Sequence, residues 1–164
     1  MSPKQIIIEQ MASCRNQKNW FVPMYDALAG LTAEQASQRD ESENHSVWQI
    51  VNHLIFWNER WLVRFKGVTP PKMEGGNNET FGNQKRNEND WRQAVKKLDD
   101  VLSEWETELM MAEESKLLSE PFENFGGEWI DVLTQIPIHN SYHIGQIVHI
   151  RKQQGTWDSN QGVS

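Results

Sequence analysis

The stretch Ser46-Val47-Trp48-Gln49-Ile50-Val51-Asn52-His53-Leu54-Ile55-Phe56-Trp57-Asn58-Glu59-Arg60-Trp61-Leu62-Val63-Arg64-Phe65-Lys66-Gly67 decides the fold class. Val47, Ile50, Val51, Leu54, Trp61 and Phe65 recur at three- and four-residue steps, the spacing of one helix face. Ser46 supplies an N-cap and Gly67 a natural C′ residue, so a helix is predicted over 47–66. Three more long segments read the same way. The first, from Lys4 to Ala29, carries Ile7, Ile8, Met11, Cys14, Phe21, Met24, Tyr25 and Leu28, and Pro23 should kink it or mark a local break. Thr32 followed by Gln35 predicts a short helical turn after Gly30. A third helix is expected from Lys85 to Met111, with Trp91, Val95, Leu98, Leu102, Trp105 and Leu109 facing inward. The last is expected from Ile130 to Gln154, with Pro137 inside it and Gly155 ending it. Between them, Val68 to Gly82 is rich in Pro, Gly and Asn and reads as a lid or surface loop. Pro121 to Gly127 reads as a turn region with a short extended piece. No alternating pattern demands a sheet. The expectation is an all-α, antiparallel four-helix bundle with short extra turns, one domain over 1–164.

Composition narrows the function. A length of 164 residues fits one core rather than two. Lys and Arg number 16 against 23 Asp and Glu, for a net charge of −7. That balance argues against gripping nucleic acid by its phosphates. A single cysteine, Cys14, forms no internal disulfide and no thiolate cluster, which fits a reducing cytosol and an ordinary core role. No run approaches the ~18 apolar residues that span a bilayer, and the start of the chain lacks a secretory pattern. A cytoplasmic protein without membrane or nucleic-acid partners is expected. Eight tryptophans promise large buried rings and aromatic walls for a pocket.

The chemistry lies in the histidines. His139 and His143 are four apart in Ile136-Pro137-Ile138-His139-Asn140-Ser141-Tyr142-His143-Ile144-Gly145-Gln146. Residues at that spacing point the same way from a helix, and two imidazoles so placed can converge on one metal. Ile136, Ile147 and Ile150 recur on the same face, so both rings sit where a bundle expects hydrocarbon, and burying them unpartnered would be costly. His53, on the margin of the second helix's stripe, is the natural third ligand from a partner helix. Three neutral imidazoles leave a position open for water or substrate. Trp57, one turn beyond His53, is a candidate pocket wall, and Gln146 borders the face and could bond a ligand or water. Glu59, Tyr142 and Asp90 are candidate proton carriers. The residue after His139 is Asn140, not the Glu of a helical zinc protease, which disfavours peptide hydrolysis by that route. His45 is expected at a loop or pocket rim, and His149 packed or solvated.

The run His45-Ser46-Val47-Trp48-Gln49-Ile50-Val51-Asn52-His53, continuing to Trp57-Asn58-Glu59-Arg60, resembles the second helix of the DinB-like superfamily. His139, Tyr142, His143, Gly145, Gln146 and Ile147, followed by Arg151 and Gly155, resemble its closing helix. The resemblance covers nearly the whole chain and aligns His53, His139 and His143 with the family's three-histidine site. It implies a four-helix bundle holding a divalent metal, commonly nickel or zinc, and frequent homodimers. It also implies thiol S-transferase chemistry, since characterised relatives use bacillithiol or mycothiol and include a mycothiol-dependent maleylpyruvate isomerase. No motif in this sequence specifies the thiol.

The expectation is therefore a metal-dependent enzyme that transfers a low-molecular-weight thiol to an electrophile. A metal-dependent hydrolase of small esters or amides is the first alternative. A non-catalytic, metal-binding, stress-induced dimer is the second.

Overall fold

A computed structural model describes residues 1–39, 45–82 and 87–162. Seven α-helices form among these residues, and no strand. They are α1 (Pro3–Arg15), α2 (Met24–Leu28), α3 (Ala33–Ser37), α4 (Val47–Phe65), α5 (Glu88–Met111), α6 (Glu114–Leu117) and α7 (Trp129–Gln153), with 3₁₀ turns at Asn77–Phe81 and Ser159–Gln161. No helix among the described residues is long and apolar enough to cross a membrane.

Local signals set most boundaries. Ser46 accepts from the Gln49 amide at 3.2 Å while the Gln49 side chain accepts from the Ser46 amide at 3.0 Å, a complete capping box at the start of α4. Thr32 and Gln35 form the same box for α3. Gly67, at φ 83°, turns the chain away after α4 in the left-handed region where a side chain would be strained.

The expected first helix, from Lys4 to Ala29, does not form as one piece. It ends at Arg15, and Pro23 caps a separate α2. The polar run Asn16-Gln17-Lys18-Asn19 gives the core nothing to hold, and the residue before a proline resists helical geometry. α5 begins at Glu88 behind an Asn87 cap, three residues after the expected Lys85, which lies outside the described residues. The extended piece expected within Pro121 to Gly127 is absent: the segment is turns and bends, with α6 before it. The Pro- and Gly-rich connection is not all loop, because Asn77–Phe81 coils into a 3₁₀ turn packed on α4.

The four long helices build the expected all-α bundle. α4 packs on α5, α5 on α1, α1 on α7, and α7 on α4. Side-chain pairs fix their directions. Lys4 reaches the Ala112 carbonyl at one end of α1 and Arg15 reaches Asp99 at the other, so α1 and α5 are antiparallel. Asn58 meets Asn140 and Phe65 meets Trp129, so α4 and α7 are antiparallel as well. Trp48 faces Trp91, Glu59 faces Lys97 and Lys66 faces Glu104, which makes α4 and α5 parallel neighbours. Parallel neighbours need a long crossover, and that is the work of the residues between Gly67 and Asn87.

Two apolar clusters fill the bundle. One gathers Val51, Leu54, Leu98, Leu102, Ile144 and Ile147. The other gathers Met11, Leu62, Phe65, Trp105, Leu133 and Ile136. Along α4 and α7 they are separated by a buried amide pair, Asn58 and Asn140, which exchange hydrogen bonds of 2.8 and 3.0 Å. The buried Trp105 indole donates to the Asn58 carbonyl at 3.1 Å, which ties α5 to the same level. Buried Arg151, near the end of α7, donates to the carbonyls of Ala27 and Thr156 and so clasps α2 and the segment that follows α7.

Candidate metal centre

The antiparallel register of α4 and α7 carries His53 to His139 and His143. His53 Nε2 lies 3.1 Å from His139 Nε2, and His143 Nε2 lies 3.1 Å from the same atom. All three ligand atoms lie within 4.8 Å of one another, so the three residues expected to share a metal are brought together. His53 and His143 are buried and His139 half-buried.

The protons show what this cluster suits. The Thr80 hydroxyl donates to the Asn77 carbonyl at 2.6 Å, so it can only accept from His53 Nδ1, also 2.6 Å away. The Gln146 carbonyl oxygen accepts from His143 Nδ1 at 2.7 Å, while its amide donates to the Tyr142 hydroxyl at 3.2 Å. Both rings therefore carry their proton on Nδ1 and turn an Nε2 lone pair toward His139. One proton on His139 Nε2 can satisfy only one of them. A shared cation satisfies all three, and bonds of about 2.0–2.1 Å suit nitrogens at this separation. Partners on the far ring nitrogens are the usual supports of metal-bound histidine.

Burial, then the neighbouring imidazoles, pulls His53 down to about 3 from an ordinary 6.5. The same two causes pull His139 down to about 4, and burial lowers His143. Neutral rings are the form that ligates a metal.

Phe81 stacks on His53 with ring centroids 4.2 Å apart, and His45 stacks on its other face at 3.6 Å. The 3₁₀ turn that carries Thr80 and Phe81 is pinned to α4 by two more bonds. The Asn52 amide donates to the Phe81 carbonyl at 3.3 Å, and the Trp57 indole donates to Asn77 Oδ1 at 3.1 Å. Sequence reading missed this support, because nothing in a Gly- and Asn-rich connection marks which of its residues returns to a helix.

A cavity of about 980 Å³ opens onto the triad. Trp57 and Tyr142 both line it. Gln146 touches His143 rather than the cavity wall. Glu59 is paired with Lys97 on the α4–α5 surface, and Asp90 is bonded to Asn87 at the start of α5, so neither lines the cavity. Asn140, which follows the first histidine of the pair, is occupied by Asn58 in the core. His149 is exposed, and His45 is half-buried against Phe81. Cys14 is buried, donates to the Pro137 carbonyl at 3.3 Å, and has its thiol pushed up to about 12 by burial, which leaves it inert.

The family model of the DinB superfamily matches residues 24–147, a span that contains all three histidines and the 3₁₀ turn. No curated protein and no solved structure matches the chain.

Proposed function

The chain belongs to the DinB superfamily, and from that premise we propose that it is a metal-dependent enzyme of the thiol S-transferase type. The observation that carries this reading is the convergence of three Nε2 atoms on a large cavity, with no carboxylate among the described residues bonded to any of them. His53, His139 and His143 would hold a divalent cation, with nickel and zinc the leading candidates. Such a cation would supply Lewis acidity, lowering the pKa of a bound thiol near neutral pH without a neighbouring base.

The chain's own residues supply position. Thr80 and Gln146 fix two of the rings through their Nδ1 protons. Phe81 shields one face of His53 from water. Trp57, held by Asn77, stands beside the triad as a wall against which an organic electrophile can lie. In the reaction, the thiol proton passes to solvent and sulfur forms a bond to the electrophilic carbon. The displaced group leaves with its bonding electron pair.

Conjugation of a chlorinated aromatic with several low-molecular-weight thiols, with and without nickel or zinc, tests the proposal. Metal-dependent thioether formation with at least one thiol is the expected result. Hydrolysis of small esters in the absence of thiol would establish the hydrolase instead, and inertness in both assays would leave a non-catalytic metal-binding protein.

A further inference from the structure

The cavity is far larger than a metal and a thiol need, and its lining is ordered along its length. On α4, His53, Trp57 and Trp61 follow one another at four-residue steps, so they lie on one face. On α7, the lining runs from His143 and His139 through Ile136 to Val132 and Asp131. Asp131 is twelve residues from His143, about 18 Å along the helix at about 1.5 Å per residue. Phe125 closes the distal end, packed edge-on to Trp61 with centroids 6.2 Å apart. The groove thus has a nitrogen-donor end, an aromatic and aliphatic middle, and a polar end formed by Asp131 and Gln135.

Charge is as unevenly placed as polarity. Apart from the histidines and Tyr142, Asp131 is the one ionisable side chain among the described lining residues. Its Oδ2 accepts from the Glu128 amide at 2.8 Å, and no hydrogen bond to its Oδ1 is made by the described residues. Arg64 is laid over the rings of Trp61 and Phe122, and no ion pair joins it to Asp131.

We propose that the groove between α4 and α7 binds an elongated organic substrate, its reacting end at the triad, its apolar body along Trp57, Trp61 and Phe125, and a cationic or hydrogen-bond-donating group at Asp131. The inference deepens the proposed function and rests on it for the reacting end alone. An anionic far end is selected against by like-charge repulsion from the exposed Asp131 carboxylate. A short substrate would leave the distal half of the cavity to water.

Long-chain hydroxamates test this, since the hydroxamate head chelates metals and the far end can be varied. Binding of the amino-terminated chain and of the carboxy-terminated chain is followed by tryptophan fluorescence on the nickel-loaded protein. The amino-terminated chain is expected to bind about tenfold more tightly. Asp131→Asn, which keeps an oxygen for the Glu128 amide, should erase that preference, and Trp61→Ala should weaken both chains alike. Raising the salt concentration should narrow the difference in the unmodified protein, a readout that needs no variant. Equal binding of the two chains, or a preference that survives Asp131→Asn, would overturn the inference. Plain alkylamines and alkanoates on metal-free protein separate the two claims. If the hydroxamate head adds nothing to affinity but the amine preference persists, the metal reading has failed and this one stands.

Discussion

Thr80 Oγ1 lies 2.6 Å from Nδ1 of His53, although the two residues are 27 positions apart and on different elements. The hydroxyl is oriented by its own donation to the Asn77 carbonyl, so the contact fixes the tautomer of the ring. It gives the crossover between the parallel helices α4 and α5 a part in the candidate metal centre.

Thr80→Val removes that acceptor while keeping the shape of the side chain. Metal affinity should fall roughly 10–100-fold, the usual cost of losing such a support, and Thr80→Ser should restore most of it. Competition with a chromophoric chelator measures both variants. Unchanged affinity in Thr80→Val would mean that the hydroxyl only packs.

The Asn58–Asn140 pair makes a separate claim about stability. Each amide is buried and bonded to the other, so Asn58→Ala or Asn140→Ala leaves an unpaired polar group in the core. Each should cost about 1–3 kcal/mol. The double substitution to alanine should cost less than the two single changes added together, because neither amide is then orphaned. Urea unfolding reads the cycle, and strict additivity would count against the pairing.

Acid should destabilise the metal-free protein in a defined window. His53 is held at about 3 and His139 at about 4, against 6.5 for an ordinary imidazole. Below pH 6.5 the unfolded chain takes up protons that the native rings refuse. Stability is therefore present in full above that pH and falls as pH drops toward the native values. Urea midpoints of chelator-treated protein across this range should show the fall, and His139→Ala should flatten it. Midpoints indifferent to pH would contradict the burial of these rings.

Cys14 should resist alkylation in the native protein. Its thiol is buried and its pKa pushed up to about 12, so thiolate is scarce at neutral pH. Labelling should appear only on unfolding. Rapid native labelling would show that the α1–α7 contact opens freely.

The helices were legible where local chemistry decides them. Ser46 and Thr32 announced their caps, Gly67 its turn, and the apolar stripes of α4, α5 and α7 their buried faces. Periodicity failed between Asn16 and Pro23 because Phe21 and Val22 continue the apolar spacing without continuing the helix: they pack from a non-helical connection. His53, His139 and His143 could be read because two share a helix face and the third sits on an inward stripe. Thr80 and Phe81 could not, because only the folded chain brings them against His53. Glu59 looked available as a proton carrier in the sequence, and the parallel packing of α5 gives it to Lys97 instead.

Metal content of the protein purified without a histidine tag, compared with that of His139→Ala, bears most directly on the account. His139 Nε2 is the atom to which both other rings turn their lone pairs. One divalent ion per chain in the unmodified protein, and loss of most of it in a His139→Ala variant that keeps its helicity, is the predicted result. Undiminished stoichiometric metal in that variant would contradict the three-histidine centre.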